Sequence, residues 1–288
     1  MQAIPFDPAA ADLRLPAPAK INLFLHIVGR RPDGYHLLQT AFRLLDWGDE
    51  IHLRRRDDGL IVRTTDVPGV APGADLVVRA AHALRQAVGG AVRGVDIGVY
   101  KRIPMGGGLG GGSSDAATVL IALNRLWGCN LPRQRLQEIG LGLGADVPFF
   151  VFGETAFAEG VGEALQPLNV PPAWYVLVAP PVSVPTAEVF SAEELTRNSE
   201  PIIMRAFATH TTRNDMQATV CKRFPEVSEA LVWLSQYGAA RMSGSGACLF
   251  ASFDSEGKAE QVAAAAPQGW KVWVARGLDR HPLQGWLT

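Results

Sequence analysis

Six glycines and two serines fall within twelve residues, Pro104-Met-Gly-Gly-Gly-Leu-Gly-Gly-Gly-Ser-Ser-Asp115, immediately before an unbroken helical pattern from Ala116 to Trp127. The pattern predicts a phosphate cradle. Glycines let a backbone turn through positive φ and bring its N–H groups close to an anion, while the following helix offers unpaired N–H groups and a positive dipole end. Ser113 or Ser114 either caps that helix or binds a phosphate oxygen. A flexible linker is the competing reading, but the run is flanked by a strand-like segment, Val95 to Tyr100, and by a strongly patterned helix. Gly106, Gly108 and Gly111 satisfy the dinucleotide spacing; that fingerprint also wants an acid about 20 positions on, and Gly128 to Gln137 has none. No Lys-Ser or Lys-Thr pair closes the run, so the triphosphate P-loop fails as well. A third kind of nucleotide cradle remains.

Composition bounds the rest. A chain of 288 residues holds one large domain or two medium ones, and 48% hydrophobic with 19% charged residues is ordinary for a globular protein. The formal net charge of -1 gives no global basic field, which argues against a nucleic-acid partner. Arg54-Arg-Arg56 is answered by Asp57-Asp58 and reads as a solvated strand end. Cys129, Cys221 and Cys248 are odd in number and lack Cys-x-x-Cys spacing, which speaks against a disulfide framework or zinc site and suits a reducing cytoplasm. The Ala- and Pro-rich start does not read as a signal peptide, and the apolar stretch Trp174 to Ala179 stops at Pro180-Pro181, too short to enter a membrane as a span.

Along the chain, residues 1 to 15 read as a loosely held arm and Lys20 to Val28 as a strand ending at the Arg31-Pro-Asp-Gly34 turn. Further strands are expected at Leu37 to Leu45, Glu50 to Arg54, 95 to 101, Phe149 to Phe152, Thr155 to Ala158, 174 to 179, Arg241 to Phe253 and Lys271 to Ala275. Helices are expected at Asp75 to Val88, after the glycine run, at Arg133 to Leu141, 186 to 195, 225 to 237 and Glu256 to Ala266. Strands and helices come in runs rather than strict alternation, which indicates an α+β fold in two lobes. The pattern restarts near residue 160, so the expected division is 1–160 and 161–288.

Three more segments look built for chemistry. Lys20 and Asn22 sit two apart in a predicted strand and share one face; Lys20 is either a surface lysine or part of a lined cleft. Asp146 stands alone among glycine and apolar residues in Gly142-Leu-Gly-Ala-Asp-Val-Pro-Phe-Phe150, as a helix cap or as a working carboxylate. Ser243, Gly244, Ser245 and Gly246 form a second glycine-serine loop, either a plain turn or a second anion contact.

With these motifs, the chain resembles the kinase superfamily of galactokinase, homoserine kinase, mevalonate kinase and phosphomevalonate kinase. The cradle and the 242–247 loop carry that resemblance. Within it, Ala19-Lys-Ile-Asn-Leu-Phe-Leu25, Arg31-Pro-Asp-Gly-Tyr-His36, Gly144-Ala-Asp-Val-Pro-Phe149, Pro185-Thr-Ala-Glu-Val-Phe190 and Asn214-Asp215 resemble the 4-diphosphocytidyl-2-C-methyl-D-erythritol kinases of the non-mevalonate isoprenoid pathway. The resemblance spans about Pro16 to Ala275.

It implies a two-lobed α+β kinase fold with an interlobe active site, an N-terminal lobe that binds ATP and a C-terminal lobe that binds substrate. ATP would phosphorylate the 2-hydroxyl of the methylerythritol moiety. Lys20 and Asp146 would be the catalytic pair and Asn22 would hold the acceptor. Tyr35 and Phe190 would sandwich the cytosine, His36 would hydrogen-bond its edge, and Thr186 would lie near polar groups of the substrate. Pro104, Gly106, Gly107, Gly108, Leu109, Gly110, Gly111, Gly112, Ser113 and Ser114 would bind ATP, and Mg2+ would screen its phosphates, with Ser114 the one candidate ligand. Asp75-Leu76 departs from the family's usual Asn-Leu, so no nucleobase contact is assigned there. Two other readings stand beside this one: a different kinase of the superfamily, which would lack the Asp-Gly-Tyr-His and Pro-Thr-Ala-Glu-Val-Phe segments, and a silent nucleotide sensor, which would not need both Lys20 and Asp146.

Overall fold

The computed structural model describes residues 12–90, 92–207 and 212–287. Of the arm expected at 1 to 15, residues 1–11 lie outside the described residues, and 12–15 are strand rather than arm. They open β1, Asp12–Arg30, which pairs antiparallel with β2, His36–Arg56, through the Arg31–Gly34 turn. The turn is closed by Gly34 N–H donating to the Arg31 carbonyl at 2.9 Å and Arg31 N–H to the Tyr35 carbonyl at 2.7 Å. β2 takes the place of the two strands expected at 37–45 and 50–54: Asp46-Trp-Gly-Asp49 reads as a break, yet Gly48 and Asp49 stay paired with Pro18 and Ala17. Register shifts fall between Pro18 and Lys20 and between Asn22 and Phe24. Such bulges re-aim side chains, and here they flank Lys20 and Asn22.

Strand β3, Ile61–Arg63, was not legible in the sequence; it lies at the edge beside β4, Gly94–Tyr100, which pairs with β2. Helix α1, Leu76–Ala87, begins where the Asp75 side chain accepts from Val77 N–H at 3.1 Å, a local hydrogen bond typical of a helix start. It buries Val77, Val78, Ala80, Ala81 and Leu84 on one face. Helix α2, Gly111–Leu126, starts at Gly110 with φ 74 and is buried on nearly every side, as its apolar run from Ala116 requires. After α3, Arg133–Leu141, comes α4, Val147–Phe152. The strand expected at Phe149–Phe152 is therefore a helix: a short apolar run has no decisive period, and Pro148 in the first turn with Gly153 at the end sets helical termini.

β5, Ala156–Glu159, and β6, Ala164–Pro167, form a hairpin on β2. Beyond it lie β7, Trp174–Ala179, α5, Thr186–Ser191, α6, Gln217–Arg223, which the sequence did not announce, and α7, Pro225–Ser235. The strand expected across 241–253 is two strands, β8, Arg241–Met242, and β9, Leu249–Phe253, held apart by the second glycine loop. α8, Glu256–Ala264, and β10, Lys271–Leu278, complete the fold.

The sheet path runs β3-β4-β2-β10-β7-β9-β8. β10 links the halves, pairing with β2 at one end and β7 along its length. Two main cores follow. One packs α1, α2 and α4 on the first strands through residues such as Ile51, Ile97, Leu120, Leu123 and Phe149. The other packs α5 to α8 on β7 and β9 through Val176, Val178, Val189, Val227, Leu234 and Leu249. The halves are stitched together: Leu25 and Ile27 of β1 enter the second core, while Leu283, Trp286 and Leu287 return to the first. Truncating a fully buried residue such as Leu120 costs about 2–5 kcal/mol in cores of this kind. No described helix is long and apolar enough to cross a membrane.

Candidate active site

The two glycine loops meet. Gly108 has φ +74 and lies against the second loop so closely that a Cβ there would stand 2.1 Å from the Ser243 carbonyl oxygen. The Ser243 hydroxyl donates to the Gly108 carbonyl at 2.9 Å and accepts from Asn22 N–H at 3.2 Å. Cys248 N–H donates to the Gly107 carbonyl at 3.2 Å, and Lys20 N–H to the Leu109 carbonyl at 3.0 Å. Asn214 holds the second loop from behind, donating to the Met242 and Gly244 carbonyls at 2.8 and 2.7 Å. Ser243 is thus a latch between loops, and Gly244 and Ser245 are the members of the second loop that face the cleft, Gly246 lying behind them.

A cavity of about 790 Å³ opens beside the loops, and a second of about 440 Å³ lies on the other side; Gly106, Gly108, Gly110 and Ser113 border both. The smaller is lined by Val67, Asp75, Leu76, Lys101 and the glycine run. There the start of α2 leaves the N–H groups of its first turn free for an anion. Leu109 is 1% exposed and belongs to a small core, so its backbone rather than its side chain serves the loop. The Ser114 hydroxyl, completely buried, donates to the Pro18 carbonyl at 2.7 Å. It secures α2 to β1 and does not face either cavity.

In the larger cavity the structure brings Lys20, Asn22 and Asp146 together. Lys20 Nζ donates to Asn22 Oδ1 at 2.5 Å, lies 3.3 Å from Asp146 Oδ2 and sits 5.2 Å from the centre of the Phe42 ring. Asn22 Nδ2 donates to Thr40 Oγ1 at 2.9 Å, and Thr40 in turn donates to the Phe24 carbonyl. Asp146 precedes α4 but its side chain makes no capping bond, so the cap reading yields to the ion pair.

At the far end are Tyr35, His36, Phe190 and Thr186. Tyr35 is 66% exposed. The rings of Tyr35 and Phe190 do not stack on each other; His36 stacks on Phe190 instead, with centroids 4.8 Å apart and planes 20° apart. An imidazole thus lies against one face of Phe190. Burial, then the Arg197 and Arg30 cations, push the His36 imidazole below its ordinary value. Thr186 Oγ1 lies 2.7 Å from Ser245 Oγ.

Sequence reasoning missed the acid–base cluster under the smaller cavity. Lys101 Nζ donates to Asp115 at 2.8 Å and also to Asp49, whose other oxygen accepts from the backbone N–H groups of Arg102 and Ile103 at 2.5 and 2.8 Å. Burial pushes the Asp115 carboxyl up to about 7 against the pull of Lys101. Burial opposes the Lys101 charge, but Asp115 and Asp49 hold it above its ordinary value. Asp115 closes the glycine-serine run, but no linear motif marks Asp49 or Lys101; only the sheet and α2 bring the three together. Thr40, Phe42 and Arg197 escaped notice for the same reason.

No group of three His, Cys, Asp or Glu side chains that could cage a metal occurs among the described residues. A magnesium ion carried by a nucleotide needs only one or two protein oxygens besides phosphate and water, and the Asp146 carboxylate and Ser113 hydroxyl border the cleft where such an ion would fit.

Interlocked glycine loops at the start of a buried helix, in a two-lobed α+β fold with a lysine–aspartate pair beside them, define a small-molecule kinase of the GHMP class. Residues 75–154 match the GHMP kinases N terminal domain and 196–272 match GHMP kinases C terminal. The chain belongs to the 4-diphosphocytidyl-2-C-methyl-D-erythritol kinase family. It is 61% identical over 272 residues to the protein of that name from Aromatoleum aromaticum, covering 94% of this chain and 95% of the relative. A crystal structure of 4-(cytidine 5'-diphospho)-2C-methyl-D-erythritol kinase superposes with a TM-score of 0.80 at 35% identity, covering 92% of this chain and 99% of that one. The homoserine kinase from Cytophaga hutchinsonii, at 16% identity and a TM-score of 0.66 over 96% of this chain and 98% of its own, shares the fold.

Proposed function

We propose that this enzyme transfers the γ-phosphate of ATP to the 2-hydroxyl of 4-diphosphocytidyl-2-C-methyl-D-erythritol. The observation that carries the reading is the Lys20–Asp146 pair, 3.3 Å apart, at the glycine loop that borders both cavities. The smaller cavity, walled by residues 67–115, suits the donor nucleotide, with its phosphates on the N–H groups of the loop and of α2. The larger suits the acceptor and draws on both halves of the chain, so the C-terminal lobe supplies part of the substrate site rather than all of it.

The hydroxyl oxygen attacks the γ-phosphorus, the bond to the ADP oxygen breaks, and the hydroxyl proton passes to Asp146. Phosphoryl transfer has a loose transition state, so placing the hydroxyl and neutralising charge count for more than base strength. Lys20 provides a cation beside the reacting phosphate, and Asn22, gripped by Thr40, keeps it aimed. Mg2+ bound with ATP would add charge neutralisation, and Ser113 and Asp146, which border the cleft, would be the residues to hold it. Ser114 is the poorer choice because its side chain is completely buried against Pro18 and lines neither cavity.

At the other end of the cleft, Tyr35 offers one stacking face to the cytosine while the His36–Phe190 pair forms the opposite wall. The free thiols of Cys129, Cys221 and Cys248 are consistent with a reducing cytoplasm. The deciding experiment is ATP consumption by the purified protein across diphosphocytidyl-methylerythritol, mevalonate, homoserine and galactose. Turnover of the first alone supports the reading; preference for any other would replace it.

A further inference from the structure

Strand β1 is irregular beside its working residues. Asn22 is in register with Phe42 and Phe24 with Ala41, so Leu23 is an extra residue without a counterpart on β2. The bulge changes which residues face the cleft. In a regular strand Phe24 would share the side of Lys20 and Asn22; past the bulge it is fully buried with Ala41, Phe157 and Ile202, and Leu25 borders the larger cavity in its place. A one-residue slip that removed the bulge would turn either Phe24 out of that core or Lys20 and Asn22 out of the cleft.

One short segment grips this bulge. Arg241, in β8, donates through Nη1 to the Leu23 carbonyl, and Ser243, two residues on, accepts from Asn22 N–H at 3.2 Å. The same guanidinium donates to Thr212 Oγ1 at 3.1 Å and to the Thr212 carbonyl at 2.7 Å. That anchors it on the stretch beside β1 beyond the bulge, where Leu25 N–H donates to the Arg213 carbonyl at 3.0 Å. All three acceptors of the guanidinium are neutral. Burial moves the proton affinity of Arg241 downward, and no acid opposes it. A half-buried cation without an acid is a poor stabiliser of a fold, but a planar fork that reaches two chain segments at once is a good clamp. Arg241 lines neither cavity, so what it does for the reaction it does through β1.

We infer that Arg241 is a positioning residue for phosphoryl transfer: by holding the Leu23 carbonyl it fixes the bulge of β1, and through the bulge the direction in which Asn22 aims Lys20. This deepens the functional reading above and rests on it. Lys20 Nζ meets Asn22 Oδ1 at 2.5 Å and Asp146 Oδ2 at 3.3 Å, and both contacts depend on which way residues 20 and 22 point. A misplacement of about 1 Å in such a site costs about 100-fold in rate. The glycine loops keep their own ties through Ser243 and Cys248, so nucleotide binding is the part of the reaction that the clamp does not set.

The first test needs no variant: side-chain arginine NMR of the unmodified protein. Arg241 is expected to show separately resolved Nη resonances, because three hydrogen bonds slow the turning of the group; a freely turning guanidinium overturns the proposal. The second test is kinetic, on whichever of the four acceptors named above the enzyme turns over. Arg241→Met keeps the apolar stem, removes the donors and is expected to lower kcat about 10- to 100-fold with KM for ATP within about threefold. Arg241→Lys, which keeps one charged donor, is expected to lose only about three- to tenfold. In an Asn22→Ala background either change is expected to cost less than about twofold more, since the aim it protects is already lost. A folded Arg241→Met enzyme with undiminished kcat overturns the inference. So does an equal loss with and without Asn22, the result of a role in folding alone; should Arg241→Met not fold, Arg241→Lys decides by the same comparison. Turnover of a different acceptor replaces the functional reading and leaves this inference standing, whereas turnover of none sinks both.

Discussion

Lys20 Nζ and Asp146 Oδ2 lie 3.3 Å apart, the lysine side chain 4% exposed and the aspartate 33%. One partner is thus fixed inside the protein and the other faces the cleft. That asymmetry divides the work: the buried cation is aimed by Asn22 and Phe42, while the carboxylate remains accessible to an incoming hydroxyl.

Asp146→Asn should therefore keep both ligands binding and lower turnover by about 100-fold or more, the scale of losing a positioned acid–base group. Calorimetry for each ligand and steady-state kinetics separate the two effects. Near-normal turnover removes Asp146 from the chemistry.

The glycine loops call for a paired experiment, because glycines there serve two purposes. A Cβ on Gly108 would collide with the Ser243 backbone, so Gly108→Ala should unlatch the loops and cost about 1–3 kcal/mol of stability as well as nucleotide affinity. Gly112 has an ordinary helical φ, and a Cβ there meets only Leu76 Cδ1 at 3.5 Å. Gly112→Val should leave the melting temperature within a few degrees and weaken ATP at least about tenfold, by crowding the N–H groups that meet the phosphates. Unchanged ATP affinity in a folded Gly112→Val protein would place the phosphates elsewhere.

Much of this was legible in the sequence because it was local. The α+β class, α3, β7 and a glycine loop ahead of α2 all follow from composition, period and turn residues within short windows. What escaped needed the third dimension. Val147–Phe152 gave an apolar run without a period, and its helix is decided by Pro148 and by packing against α2 and α3. The Asp49–Lys101–Asp115 cluster joins β2, the exit of β4 and the start of α2, and only the last of these carries a motif. Lys20, Asn22 and Asp146 stood out as residue types in unusual company, but only the register shifts of β1 explain why the first two turn toward the third. The stacking of His36 on Phe190 could not be read from two separate segments, each of which fits a simple sandwich.

His281 sets an acid limit on stability. It is fully buried near the end of the chain, its Nδ1 accepts from Leu283 N–H at 3.0 Å, and Nε2 has no partner among the described residues. Burial lowers its affinity for protons to a pKa of about 3, against 6.5 for the free side chain. The unfolded chain therefore takes up a proton that the native state refuses. Stability due to this group is complete above 6.5 and is lost as pH falls from there toward 3. The slope in that window is up to about 1.4 kcal/mol per pH unit. His281→Asn keeps an acceptor for Leu283 without titrating, so urea midpoints measured from pH 7 to 5 should fall less steeply than in the unmodified protein. Parallel curves would mean that other groups set the acid limb.

Tyr35 provides the last test, because its exposure makes function and folding separable. At 66% exposed, and at a turn, it contributes little to either core, so Tyr35→Ala should change stability by no more than about 0.5 kcal/mol. If its ring stacks on the cytosine, KM for diphosphocytidyl-methylerythritol should rise by the equivalent of about 1–3 kcal/mol, or roughly 5- to 150-fold, with KM for ATP unmoved. Phe190→Ala should cost more, since it removes one wall of the slot and also the surface on which His36 rests. Free methylerythritol 4-phosphate, which has no base, should be a poor substrate for the unmodified enzyme and no poorer for Tyr35→Ala. If the variant loses activity equally toward both acceptors, the ring is shaping the turn rather than reading the base, and the cytidine assignment at Tyr35 fails.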